Sequence, residues 1–352
     1  ILGMKPNEHE YKVMGLSGYS KSQRHIKEVE DVLLEAFDFE SGKFIRRTPL
    51  KDSYFDPKER FEGFRFDNIA AAAQNWATEV TSKWMKHWIN QTGRSGICFS
   101  GGLSMNIKMN GIIVQEPEID WMNVPASGGD ESLAAKARFF AMKSKSKKSD
   151  SAVKATPGDV VPMQHAYLGD TPDSDWESGI REAGCFEKDY GLVEGIGPRH
   201  LAKLLAADKI MARCVGESEF GARALGNRSI LANPSNGNNL KKINDAIKNR
   251  DFWMPFTPSI LQEYLDEYIE NPKGLISPFM TVGFQTRIDA RPKFAAAIHP
   301  GDFSARPQAV IKAINIEYWT LIDEFRKLTG VASLLNTSLN LHGDPMNYSL
   351  AD

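Results

Sequence analysis

Cysteine is scarce in this 352-residue chain: Cys98, Cys185 and Cys214 stand far apart with no C-x-x-C spacing. That pattern excludes a disulfide framework and a cysteine zinc site. No apolar run approaches the length of a membrane span, and no basic stretch followed by an apolar one opens the chain. Neither a spanning helix nor a secretory leader is therefore expected, and a cytoplasmic setting is the default. Net charge is almost absent, with 43 Lys+Arg against 45 Asp+Glu, so bulk attraction to nucleic acid or membrane is not a basis for function. No internal repeat is evident.

What the chain does have is enough length for two domains and one conspicuous segment, GESEFGARALGNRSILANP from Gly216 to Pro234. Arg223 and Arg228 lie there among glycines and alanines, where guanidinium and backbone groups can both approach a phosphate or carboxylate. The alternative is a structural turn whose arginines pair with Glu217 and Glu219.

Apolar spacing predicts a helix over 67–91, capped by Asp67 and ended by Gly93, with Ile69, Ala73, Trp76, Val80, Trp84 and Trp88 on one core stripe. A strand over 97–99 then enters Ser100-Gly101-Gly102 and a helix from Ser104. Double glycine before a helix suits phosphate, but taken alone the signal is weak beside the alternative of a plain tight turn. The lysine- and serine-rich stretch around 142–158 reads as a linker. Beyond it the pattern predicts helices over 200–208, 240–249 and 309–328, with strands over 211–215 and 331–335. The fold class expected is α/β (α+β).

The segment from Glu219 to Pro234 resembles the signature of the O-carbamoyltransferases that modify antibiotics and nodulation factors, approximately E-F-G-P-R-A-L-G-x-R-S-I-L-A-x-P. Only Ala222 departs clearly, where proline is usual. Glu10-Tyr11-Lys12-Val13-Met14-Gly15-Leu16-Ser17-Gly18-Tyr19 resembles that family's G-E-x-K-x-M-G-L-A-x-Y-G. Phe99-Ser100-Gly101-Gly102-Leu103-Ser104-Met105-Asn106 with Asn110-Gly111 resembles its nucleotide motif, and Pro125-Ala126-Ser127-Gly128-Gly129-Asp130 its P-A-x-x-x-D. Lys248-Asn249-Arg250 with Trp253 to Ser259 is similar to K-x-R-x-x-F-R-P-F-A-P-S, although Met254 replaces an arginine. His299 to Gln308 resembles H-x-D-G-T-A-R-x-Q with one residue more, and Asn336 to Asn340 resembles N-T-S-F-N.

The resemblance implies part of an actin/sugar-kinase/heat-shock-ATPase-like carbamoyl-transfer domain over 1–142, a linker over 143–158 and a YrdC-like α/β domain over 159–352 that takes carbamoyl phosphate and ATP. It implies catalytic roles for Arg223, Arg228, Lys248, Arg306 and Ser338. It also implies nucleotide or ligand contacts by Lys12, Gly101, Gly102, Asn106, Arg250, Asn336 and Asn340, with Mg2+ accompanying ATP. Asp130 would hold a divalent metal, commonly iron, with two histidines of an H-x-x-x-H; no such pair occurs among the seven histidines. Its other reading is a helix cap. A segment before Ile1 is expected to supply that pair, and a short one is expected after Asp352. The reaction implied is formation of carbamoyl adenylate with release of pyrophosphate, then transfer to a hydroxylated small-molecule acceptor. A tRNA threonylcarbamoyl transferase and a non-catalytic nucleotide-binding module are the alternatives; the first lacks a fused anion-binding domain and would need a basic stripe.

Overall fold

The computed structural model describes residues 1–6, 8–47, 52, 54–133, 163–172, 179, 191 and 193–347. Within them helices and several sheets build a mixed α/β architecture. The expected linker over 143–158 lies outside the described residues.

The first half is mostly helical: α1 (Glu10–Leu16), α2 (Gln23–Ala36), the hairpin β1 (Asp38–Glu40) and β2 (Lys43–Ile45), α3 (Phe55–Arg60), and α4 (Phe66–Thr92). Then come β3 (Gly96–Cys98), α5 (Ile107–Ile113) and β4 (Trp121–Asn123), which pairs parallel with β3. Helix α4 ends as expected: Gly93 sits at φ +64°, a conformation glycine adopts without strain, and donates to Ile89 O at 2.8 Å. Its start differs. Arg65 is the capping residue, and Asp67 lies inside the first turn, where it accepts from Arg65 at 2.9 and 3.0 Å and from the Asn68 amide. The tryptophan stripe also differs from expectation. Trp76 and Trp84 are half-buried and Trp88 is 49% exposed, because the deeply buried face runs through Ile69 to Ala72, Val80 and Met85.

The second half contains α6 (Pro198–Ala206), β5 (Met211–Cys214), β6 (Arg228–Ala232), α7 (Asn238–Ile243) and β7 (Thr257–Leu261). It continues through α8 (Leu265–Tyr268), β8 (Phe284–Gln285), β9 (Ser304–Ala305), β10 (Gln308–Val310), α9 (Ile316–Thr329) and β11 (Ser333–Ser338). Five strands form one sheet in the order β10-β7-β11-β6-β5, with β10 and β7 parallel and the other neighbours antiparallel. Two corrections follow. The helix expected over 309–328 begins only at Ile316, after the Asn315 side chain caps it, and Ala309 and Val310 are strand residues beside Ile260 and Leu261. The last strand extends through Ser338 because Thr337 and Ser338 still have partners, Ile230 and Ser229.

One apolar core joins the halves: Met85, Phe99, Met109, Ile113, Val114, Ile119, Met122 and Val124 pack in the same cluster as Ile230, Ile260, Val282, Phe284, Phe294 and Leu334. Backbone contacts reinforce it. Gly283 donates to Ile107 O at 2.9 Å, and the buried Asn110 amide donates to Thr281 O at 2.8 Å. No helix among the described residues is long and apolar enough to cross a membrane.

Candidate functional site

The signature segment splits into a bend and a strand. Gly216 to Asn227 form an irregular bend, and Arg228 to Ala232 are β6, all five residues buried, between β11 and β5 in the sheet. Sequence reading missed that strand. Its consequence is that the two arginines diverge. Arg228 is fully buried, and its guanidinium donates to Val215 O, Gly216 O, Asn227 O and Asp170 O at 2.8 to 3.3 Å. It ties backbone carbonyls together and does not line the pocket described below.

Arg223 points instead into a cavity of about 400 Å³ between the halves. Arg250 and Arg306 face the same space, as do Ser338 and Asn340, with Tyr11, Met14 and Lys108 from the first half. A recess of about 60 Å³ continues from it past Asn336 and Thr337 at the end of β11. Arg250 donates weakly to Thr337 Oγ1 at 3.4 Å and lies 5.6 Å from the Phe256 ring centre. The Nε atoms of Arg223 and Arg306 are buried without a hydrogen-bond partner, and among the described residues none of the three arginines forms a salt bridge.

Such a cluster is electrostatically unfavourable on its own. Burial, joined by the Arg250 charge and opposed by Glu131, pushes Arg223 down to about 10. Burial and then the charges of Arg223 and Arg250 push Arg306 well below its ordinary value. Arg250 is lowered chiefly by burial. A guanidinium stays protonated in proteins, so these shifts express the cost of burying charge that no acid among the described residues neutralises.

Lys248 is fully buried behind the pocket, on the π-helical turn Asn244–Lys248 that continues α7. Its ammonium donates to Ser338 O at 2.6 Å, Asn340 O at 2.8 Å and Asn340 Oδ1 at 2.6 Å, with Ser338 Oγ at 3.2 Å. Burial, with the Arg250 charge second, pushes it down to about 7, and the oxygen contacts oppose that by favouring the charged form. Lys248 thus fixes Ser338 and Asn340 from behind. Asn336 donates to Ala224 O at 3.1 Å and Ser259 Oγ at 3.0 Å, which anchors the bend to the sheet. Lys12 stands half-buried near the mouth, paired with Asp251 at 3.0 Å.

The remaining expected residues gather elsewhere. Gly101 and Gly102 are exposed, with Gly101 at φ +105° and its amide donating to Gly128 O at 2.8 Å. The double-glycine loop and the 125–130 turn therefore adjoin. Asn106 caps α5 and exchanges amide hydrogen bonds with Gln74. Asp130 is exposed, and among the described residues no group of three His, Cys, Asp or Glu side chains comes together. The described residues do not fit a metal centre.

Two of the matched motifs, 10–19 and 299–308, meet in space through contacts that the sequence did not foretell, and Lys108 carried no signal of its own. Lys108 reaches Asp302 Oδ2 at 2.5 Å and Ser17 Oγ at 3.2 Å, and buried His299 bonds Gly15 O through Nε2 at 2.7 Å. Burial raises the Asp302 carboxyl, but bonds from His299 and the Lys108 charge outweigh it and hold the group well below the carboxylate range. These contacts seat the Gly15–Gly18 stretch against 299–302. Glycine is required at this contact, since a Cβ on Gly18 would lie 2.5 Å from His299 Cε1.

Comparison with known proteins adds a chain-wide finding. The family model for the carbamoyltransferase N-terminus matches residues 1–138, and that for the carbamoyltransferase C-terminus matches 202–352. An uncharacterized protein of Methanocaldococcus jannaschii is 30% identical over 362 residues, covering 98% of this chain and 65% of its own length. Nodulation protein NolO of Bradyrhizobium diazoefficiens is 28% identical over 361 residues, 97% of this chain and 62% of the relative. Nodulation protein NolNO of Sinorhizobium fredii is 30% identical over 358 residues, 97% and 50% respectively. The chain thus spans about half to two thirds of the length of these relatives.

Proposed function

The chain belongs to the carbamoyltransferase family, and we propose that its arginine-walled pocket binds carbamoyl phosphate and ATP and prepares a carbamoyl group for transfer to a hydroxyl of a small-molecule acceptor. The observation that carries this reading is the convergence of Arg223, Arg250 and Arg306 on one cavity without a salt-bridging acid among the described residues. Three cations in a site of low dielectric match a ligand bearing several phosphate charges. Apolar Met14, Met254, Phe256 and Leu341 line the same cavity and offer a surface for a nucleoside.

In this reading water cleaves carbamoyl phosphate to carbamate and phosphate. A carbamate oxygen then attacks the α-phosphorus of ATP, the bond to the β-phosphate oxygen breaks, and carbamoyl adenylate and pyrophosphate form. Arg223, Arg250 and Arg306 neutralise the charge that builds on the leaving pyrophosphate. Ser338 and Asn340, held by Lys248, orient phosphate or carbamoyl oxygens. The acceptor oxygen next attacks the carbamoyl carbon, AMP leaves, and the hydroxyl proton goes to solvent. Activation is assigned to the expected YrdC-like part, 159–352, and transfer to the expected actin-like part, 1–142. A cytoplasmic setting, where ATP is at hand, belongs to the same reading.

The test is exchange of labelled pyrophosphate into ATP. Exchange that requires carbamoyl phosphate is expected with the chain. Its absence from a folded sample would remove the adenylate step.

A further inference from the structure

The bend that carries Arg223 has no regular secondary structure, yet from Leu225 to Arg228 every backbone amide is bonded to a side chain. One carboxylate oxygen, Oε1 of buried Glu219, accepts from the amides of Leu225, Asn227 and Arg228 at 2.7, 2.8 and 3.2 Å. Ser229 Oγ accepts the remaining amide, that of Gly226, at 3.0 Å. On the carbonyl side, Asn336 donates to Ala224 O, Tyr167 and Gln308 to Leu225 O, and Arg213 to Gly226 O, at 2.6 to 3.1 Å. Gly221 and Gly226, at φ +106° and +119°, bound the bend on either side of Arg223. A Cβ on Gly221 would meet Ala126 O at 2.7 Å, and one on Gly226 would meet the Tyr318 ring at 2.4 Å. The bend has one shape because side chains, its own Glu219 and others from the sheet and neighbouring segments, dictate it.

We propose that Glu219 is the positioning residue for Arg223: it touches no ligand, yet by gathering three amides onto one oxygen it sets where the Arg223 guanidinium stands in the pocket. This rests on the reading of that pocket as a phosphate site. The idea has a counterintuitive consequence. Through space, an acid near a cluster of arginines weakens anion binding, so its removal would tighten it. Positioning predicts the opposite, and it predicts that reach matters more than charge.

Binding of inorganic pyrophosphate to the whole chain, measured by calorimetry, separates these cases. Glu219→Asp keeps the charge but withdraws the oxygen, and is expected to weaken binding about 10-fold. Glu219→Gln loses the charge but keeps an acceptor, and is expected to remain within about 3-fold of the parent. Tyr167→Phe removes a bond from the opposite side of the bend with little risk to folding, and is expected to cost about 2- to 3-fold. In an Arg223→Ala background each loss should shrink to within about 1.5-fold, since residues acting through one group are not additive. Losses by Glu219→Asp or Tyr167→Phe that persist undiminished without Arg223, or tighter binding by Glu219→Gln, overturn the proposal. No pyrophosphate binding by the parent chain overturns the pocket reading and this one with it.

Discussion

At the scale of residues, the two signature arginines show what sequence can and cannot say. Arg223 and Arg228 sit in the same small-residue context, and a guanidinium that binds an anion needs the same surroundings as one that caps backbone carbonyls. Only the onset of β6 separates them. Arg306 lines the same cavity and belongs with Arg223. Arg306→Ala is expected to cost about 2 to 4 kcal/mol of transition-state stabilisation, the scale for one donor to developing charge in a dry site. Unchanged kcat/KM in the exchange assay would place it outside the chemistry. Lys248 makes a pH prediction. Its folded value of about 7 lies below the ordinary 10.5, so between the two the unfolded chain binds more protons than the folded one. Stability should then rise with pH across that window, and the full cost of charging Lys248 should be borne below about 7. The difference in Tm between the parent and Lys248→Met should move in the parent's favour as pH climbs from neutral to about 9.5. A flat difference would mean that the oxygen contacts keep the proton on.

At the scale of elements, the helix over 66–92 was legible because its apolar period runs for many turns and a glycine ends it. Of the short strands, β3 and β5 were legible too, but β6, β7 and β10 were not. Gln308-Ala309-Val310 is apolar enough to extend a helix pattern, and its strand state comes from a parallel partner, β7, distant in sequence. The Lys248 turn was read as plain helix, yet its π-helical bonding is what turns the side chain inward to Ser338 and Asn340. Helix α5 offers the clearest element-level test. It meets the 281–284 segment backbone to backbone, and a Cβ on Gly111 would fall 2.0 Å from Gly283 O. No flexible side chain can yield there. Gly111→Ala should destabilise the chain by about 2 to 4 kcal/mol through overpacking and displaced backbone. Because Ile107 and Lys108 on the same helix line the pocket, pyrophosphate affinity should fall as well. A stable Gly111→Ala chain with parental affinity would show that α5 and this segment can part without consequence for the site.

At the scale of the whole molecule, composition and the order of motifs pointed to two domains, and the motifs do fall into two halves. Physically the halves are not separate. Their largest apolar cluster is continuous from Met109 and Ile113 to Ile260 and Phe284, and Lys273 reaches across to Glu116 O and Ile119 O at 2.7 and 2.5 Å. Sequence patterns mark which residues are apolar but not which apolar faces meet, so a shared core was beyond their reach. The cavity inherits this arrangement: Tyr11, Met14 and Lys108 complete a pocket whose arginines come from the other half. Heating should therefore unfold the described parts in one cooperative transition, since opening either half would expose the core of the other. Pyrophosphate at about 100 times its Kd should add about 2.7 kcal/mol and move that transition upward as a unit. Differential scanning calorimetry decides the point. Two resolved endotherms, with pyrophosphate shifting only one, would mean that the halves fold independently and that the pocket draws nothing essential from the first.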